Sequence, residues 1–344
     1  MTDLTKKILK LMSEGKTINE LSEVTGLSNR QIFNIITMIR TKGFEFNRKY
    51  YYNGDIIYVP ENSLLDNKTN GVNIITSPND SEFEALIISD LHLGSMKESL
   101  DILNKLYDYC IKEGIHIIII GGDFIDGTFG RTAKYFHDID KQIDYAVRNY
   151  PFDKSILNFT VLGDHDYDGI ISGGQNLAKV FESYRHDIVS LGFNCGQINI
   201  KNDRIIVSHP INGFNMKENY KNCLILEGHS HRMAVTNKPS RTVVTIPSVS
   251  RMQFTEDDMM PSAVRMKLSF SKGLISSGVF NQLLISDKIY KINEFEYLLN
   301  TGKNFCLDVP IRLEEERVKK KVLVSEKIEH KNQIDKFNQR YALK

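Results

Sequence analysis

The chain has 344 residues, 41% of them apolar and 25% charged, with a formal net charge of +1. These proportions describe an ordinary folded protein with room for one sizeable core and a small second domain, and they exclude a disordered chain. A net charge so close to zero draws no polyanion by itself, so any electrostatic argument has to be local.

The amino terminus, MTDLTKKILK, lacks the apolar stretch of a signal peptide, and the apolar run Ile117 to Ile120 is far too short to cross a bilayer. Four cysteines (Cys110, Cys195, Cys223 and Cys306) are scattered without a C-x-x-C pair and read as reduced thiols. A cytoplasmic protein without a membrane partner is expected.

Residues 1–60 set the first rhythm. Leu4, Ile8, Leu9, Leu11 and Met12 recur at helical spacing and stop at Gly15. Thr17, with Glu20 three residues on, spells a capping box for a second helix that ends at Gly26. Ser28 opens a third helix with an apolar face of Ile32, Ile35, Ile36 and Ile39. Two strand-like runs follow, FEFNRKYYY and DIIYV, joined by Asn53-Gly54, a strong hairpin signal. Three helices and a hairpin resemble a winged helix-turn-helix. This unit carries nine Lys and Arg against six Asp and Glu, a formal +3. Its candidate nucleic-acid contacts are Arg30 and Gln31 at the start of the third helix, Arg40 at its end, and Arg48 and Lys49 on the hairpin. DNA is the favoured partner. The alternative has the winged unit holding a protein partner or a second copy of the chain.

Residues 61–80 are Asn-rich and polar and read as a linker, after which strands and helices alternate across 81–285. The helix MKESLDILNKLYDYCIKEG and the helix DKQIDYAVRNY each join two buried-strand runs, and beyond residue 195 the pattern becomes mostly strand, consistent with a second sheet. AVRMKLSF and GLISSGVF read as a strand pair around Ser271 to Gly273. Residues 286–344 read as a helical, charged extension that begins with a helix over NEFEYLL.

The chemistry lies in five short clusters, each directly after a β-branched run: Asp90-Leu-His92, Gly122-Asp123, Gly163-Asp164-His165, Ser208-His209 and Gly228-His229-Ser-His231. Polar groups at the carboxyl ends of buried strands converge on one rim of a sheet. Three carboxylates and five imidazoles there are hard and borderline ligands, suited to Mn, Fe, Zn or Mg ions. His116, His137, His186 and His330 stand outside this order and are read as ordinary histidines.

Ser89-Asp90-Leu-His92, Gly122-Asp123-Phe-Ile-Asp126, Gly163-Asp164-His165-Asp166, His209 and Gly228-His229-Ser-His231 together resemble the calcineurin-like metallophosphoesterase superfamily over roughly residues 84–250. The resemblance implies an α/β sandwich of two mixed β-sheets flanked by helices, holding two divalent metal ions, Mn2+ first and Fe, Zn, Mg or Ni otherwise. It implies that Asp123 bridges the ions, that Asp90, His92 and His231 complete the first shell, and that Asp164, His209 and His229 complete the second. A water acidified by the pair would attack phosphorus in line. His165 would act on the phosphoryl or leaving oxygen, with Asp126 holding its ring, and Asp166 would be a supporting carboxylate.

One position departs from the pattern: the family usually has Asn where this chain has Asp164. SDLHLGS with GGDFIDG looks closer to the nuclease-like and polymerase-subunit branches than to Ser/Thr phosphatases, whose R-G-[AG]-H-E signature is absent around His165. The expected activity is therefore hydrolysis of a nucleic-acid phosphodiester. The alternatives are a phosphatase or phosphodiesterase acting on a small nucleotide or phosphoprotein, and a catalytically weakened regulatory or scaffold subunit.

Overall fold

The computed structural model describes residues 2–60, 71–77, 79–128, 133–171, 174–210, 220, 222–238, 241–251 and 260–298. The chain opens with α1 (Asp3–Ser13), α2 (Ile18–Thr25) and α3 (Asn29–Arg40). Thr17 and Ser28 each close a capping box, and Gly26 ends α2 in the left-handed region that glycine adopts without a Cβ penalty. The hairpin β1 (Phe46–Tyr51) and β2 (Ile56–Pro60) turns at Gly54, followed by β3 (Val72–Ile75) and β4 (Glu82–Ile88).

From there α4 (Leu100–Glu113), β5 (Ile117–Ile120), α5 (Ile139–Asn149) and β6 (Leu157–Leu162) form successive crossovers, and α6 (Asp164–Ile171) and α7 (Leu177–Tyr184) lead to β7 (Ile188–Phe193). The remaining strands are β8 (Cys195–Ile200), β9 (Asp203–Ser208), β10 (Cys223–Glu227), β11 (Ala234–Lys238), β12 (Arg241–Thr245), β13 (Ser262–Ser271), β14 (Leu274–Ile285) and β15 (Ile289–Leu298).

These strands make two mixed sheets. One runs β15-β14-β13-β4-β5-β6-β7, parallel from β4 to β7; the other runs β11-β12-β10-β9-β8-β3-β1-β2. Alternation along β4 shows how they stack: Phe83, Ala85 and Ile87 enter the core between the sheets, while Leu86 and Ile88 face the helix layer with Leu103, Leu106 and Phe181.

The structure revises three sequence expectations. Asn293–Leu298 of NEFEYLL lies in β15, paired antiparallel with β14, and its alternating Phe295 and Tyr297 pack against the core. Val72–Ile75, expected in a linker, is a strand that joins β1 to β8, while 61–70 and 78 lie outside the described residues. The hairpin is therefore not a free wing: β1 is interior to the eight-stranded sheet. Tyr50 of β1 meets Phe159 of β6 edge-on at 5.2 Å, and Ile8, Ile32 and Ile36 belong to the same core cluster as Ile119 and Val207. The expected charged tail over 299–344 also lies outside the described residues.

Candidate metal centre

Strands β4, β5, β6, β9 and β10 deliver Asp90, Asp123, Asp164, His209 and His229 just past their carboxyl ends. Asp123, Asp164, His209 and His229 bring ligand atoms within 4.8 Å of one another, and Asp90, His92 and His231 do the same. These are the seven residues that the sequence grouped into two shells. In the second set His209 Nε2 lies 3.1 Å from Asp123 Oδ2 and 3.2 Å from Asp164 Oδ1, and His229 Nδ1 lies 3.6 Å from that same Asp164 oxygen. In the first, His231 Nε2 is 3.2 Å from Asp90 Oδ1 and His92 Nε2 is 3.9 Å from Asp123 Oδ2.

The backbone is bent to make this convergence. Asp90, His92, Asp123, His229 and His231 all have φ between 46° and 73°, where a residue with a Cβ costs about 1–3 kcal/mol. Packing is equally tight beneath them. A Cβ on Gly122, itself at φ +106°, would stand 2.4 Å from His209 Nδ1, and one on Gly163 would stand 2.1 Å from Asp123 Oδ1.

Ring orientations follow from what each imidazole meets on its far side. His209 Nδ1 donates to the carbonyl of Gly121 at 2.7 Å, which turns Nε2 toward the carboxylates. His92 Nδ1 faces Asp126 Oδ1 at 3.3 Å, and its buried Nε2 makes no hydrogen bond among the described residues. The pockets thus end in imidazole nitrogen and carboxylate oxygen atoms, with no sulfur in either set among the described residues, a donor set that fits two divalent transition-metal ions.

Charge fixes the protonation states. Burial alone would raise the carboxyl groups of Asp90 and Asp164, but His231 beside the first, and His209 and His229 beside the second, hold both well below the usual range. Burial lowers His209, yet Asp123 and Asp164 outweigh it and leave the ring well above its ordinary value; His229 is raised chiefly by Asp164. Metal loading must displace these protons.

His165, at the first turn of α6, is half-buried; its backbone N–H donates to Asp123 Oδ1 at 3.1 Å and its Nδ1 donates to the carbonyl of Asp126 at 2.6 Å. The expected side-chain clamp from Asp126 is therefore corrected. The Asp126 carboxylate faces His92 and bonds the buried ammonium of Lys134, and the main chain of Asp126 orients His165. Burial would raise Asp126, but His92 and Lys134 keep it lowered. Lys134 was missed in the sequence because a lone Lys in an irregular loop has no spacing signal. Asp166 accepts from the N–H groups of Ile125 and Gly163, both at 2.9 Å, tying two site loops together. Burial and the nearby Asp123 push its carboxyl up to about 7.

Three of the candidate nucleic-acid residues are engaged within the chain. Arg40 and Arg48 both reach Glu182 of α7, at 2.7 and 4.0 Å, and Gln31 is spent capping its own helix through Ser28. Lys49 lies half-exposed on β1, and Arg30 lines a groove against the sandwich.

Residues 83–233 match the family model described as calcineurin-like phosphoesterase. That stretch is similar to calcineurin-like phosphoesterases. No curated protein matches the sequence. Among solved structures, the chain is similar to the phosphoesterase Yfce from E. coli, at 14% identity over 63% of this chain and 100% of that one, with a TM-score of 0.39. It is also similar to Vacuolar Protein Sorting 29 from Cryptosporidium parvum, at 14% identity over 64% of this chain and 100% of that one, with a TM-score of 0.40. A third is a novel archaeal phosphodiesterase, at 13% identity over 59% of this chain and 100% of that one, with a TM-score of 0.37. No described helix is long and apolar enough to cross a membrane.

Proposed function

We propose that the chain is a dinuclear-metal phosphodiesterase whose substrate is a nucleic acid. The observation that carries the metal-dependent part is Asp123. Its Oδ2 lies 3.1 Å from His209 Nε2 and 3.9 Å from His92 Nε2, so a single carboxylate faces both ligand sets. Two divalent cations there, most suitably Mn2+, would supply an activated water and neutralise charge on the phosphoryl oxygens.

The residues of the chain do the rest. Asp90, His92 and His231 on one side, and Asp164, His209 and His229 on the other, would hold the cations. Three ligand carboxylates against two dications leave one net positive charge, which balances the single negative charge of a diester better than the dianion of a monoester. His165 is above its ordinary pKa: burial lowers it, but the Asp123 charge and the Asp126 carbonyl raise it further. With Nδ1 fixed on that carbonyl, its Nε2 proton is the one available to the leaving oxygen. Nucleic acid as the source of the diester is supported by the +3 charge of residues 1–60.

Turnover of bis(para-nitrophenyl) phosphate and para-nitrophenyl phosphate with added Mn2+, followed by single- and double-stranded DNA and RNA, tests this reading. Faster diester than monoester turnover and cleavage of at least one nucleic acid are expected. Preference for the monoester, or no cleavage of any strand by a metal-loaded protein, would overturn it.

A further inference from the structure

A groove of about 650 Å³ separates α3 from the sandwich, on the side away from the metal centre. Leu157, at the start of β6, lines it, whereas Asp164 follows the end of the same strand; at about 3.3 Å per residue the two rims are roughly 20 Å apart. Phe152 and Tyr184, 65% and 74% exposed, are the most exposed large apolar or aromatic side chains among the described residues, and both line this groove. Arg185 covers one face of the Phe152 ring at 5.9 Å.

The acids of the groove are turned into their own surroundings. Asp187 is held by both Arg185 Nε (2.9 Å) and Nη2 (2.7 Å), Asp153 accepts from the Ser155 N–H and hydroxyl, and Asp55 accepts from the Ile56 N–H. Of the basic residues, Arg148 pairs with Asp144. Arg30 and Lys154 form no ion pair among the described residues, although the charge of Lys154 helps to lower the carboxyl of Asp153. Two open aromatic rings and two cations without ion pairs, in a pocket of small-molecule size, match a flat base attached to a phosphate.

We propose that this groove is a second, non-catalytic site that binds one nucleotide unit, the base stacking on Phe152 or Tyr184 and the phosphate meeting Arg30 and Lys154. The unit comes either from a free nucleotide or from a single strand. This goes beyond phosphodiester hydrolysis and does not depend on it, because binding is read without turnover.

The test uses the full metal-loaded chain and fluorescence anisotropy with a phosphorothioate oligothymidylate of about 12 nucleotides, within the usual span of single-strand sites. Thymidine monophosphate serves as competitor. Both probes binding is expected for a free-nucleotide site, and the oligomer alone for a strand site; either supports the proposal. Phe152→Ala with Tyr184→Ala should weaken binding roughly five- to hundredfold. Arg30→Ala should flatten the dependence of log affinity on log salt by about one. Photocross-linking through 5-iodouracil should mark the peptides that hold Phe152 or Tyr184. Thermal melting by circular dichroism checks that the variants fold, and Phe152→Leu with Tyr184→Leu serves if the alanines do not. Binding that survives the loss of both rings, cross-links confined to the metal rim, or no binding of either probe would overturn the proposal; the last outcome would leave the groove to a protein segment.

Discussion

The Asp126 carboxylate lies 3.3 Å from His92 Nδ1 and also bonds the buried ammonium of Lys134, so a ring that faces the metal pocket is held by an ion pair rather than by a lone acid. Breaking one half of a buried pair leaves the other charge stranded, at about 3–5 kcal/mol. Lys134→Met should therefore unfold at markedly lower denaturant, and Asp126→Asn with Lys134→Met should recover most of the loss. In the double variant His92 loses its anionic partner, and affinity at the first metal site should fall roughly 10–100-fold. Urea titration and metal titration read the two effects separately; unchanged metal affinity would detach Asp126 from the site.

His165 touches Asp123 only through its backbone N–H, at 3.1 Å. His165→Ala keeps that bond and should keep both metals, while turnover of a chromogenic diester falls by about 10²–10⁴. Wild-type turnover in that variant, or metal loss on elemental analysis, would remove the proton-donor role.

Most of this centre was legible in the sequence because a metal site reuses a few residue types at strand ends, and buried strands announce themselves as β-branched runs. Asp90, Asp123, Asp164, His209 and His229 each follow such a run, and the structure brings their side chains together. Less legible was anything decided by long-range pairing. The run Val72–Ile75 is a strand only because β1 and β8 flank it, and Phe295 sits on a strand rather than a helix because β14 offers a free edge. The partner of Asp126 was hidden for a related reason: main-chain carbonyls and loop lysines carry no pattern. The Glu182 partner of Arg40 and Arg48 was equally hidden, because it is far away in sequence.

Gly122 should tolerate no side chain. At φ +106°, a methyl there would press into the His209 ring 2.4 Å away and break its bond to Gly121. Gly122→Ala should lose the second metal before the first. Elemental analysis giving two metals per chain in that variant would show that the ring has room to move.

The junction between α3 and the sandwich should be acid-sensitive. His186 stacks on Phe33 with ring centres 4.1 Å apart. Burial, and then the charge of Arg48, lowers its pKa from the ordinary 6.5. The unfolded chain then takes up this proton before the folded one does. The stabilisation from a neutral His186 is complete above about pH 6.5 and is lost as pH falls below that value toward the lowered folded pKa. His186→Phe keeps the stack and removes the proton. Urea unfolding of the two proteins should show their stability difference growing in favour of the variant as the solution is acidified, and parallel curves would refute the assignment.

Asp164 sets two effects of opposite sign against each other. Its Oδ1 lies 3.2 Å from His209 Nε2 and 3.6 Å from His229 Nδ1, and the imidazoles hold it ionised against burial. A carboxylate there strengthens the second metal site, yet it places a negative charge and no donor beside an anionic substrate. Asp164→Asn exchanges one for the other: metal affinity should fall, while at saturating Mn2+ substrate binding should improve. A single charge-assisted hydrogen bond is worth about 1.5–3 kcal/mol, so a gain in kcat/KM of roughly tenfold to hundredfold is the upper expectation. The side chain is one-third exposed, so solvent screening pulls the gain toward the lower figure. Steady-state kinetics over a Mn2+ series separates the two effects, since the metal requirement and the rate at saturation should move in opposite directions. Loss of activity on every diester at saturating Mn2+ would show that the carboxylate is required for the reaction itself and does not exchange phosphate affinity for metal affinity.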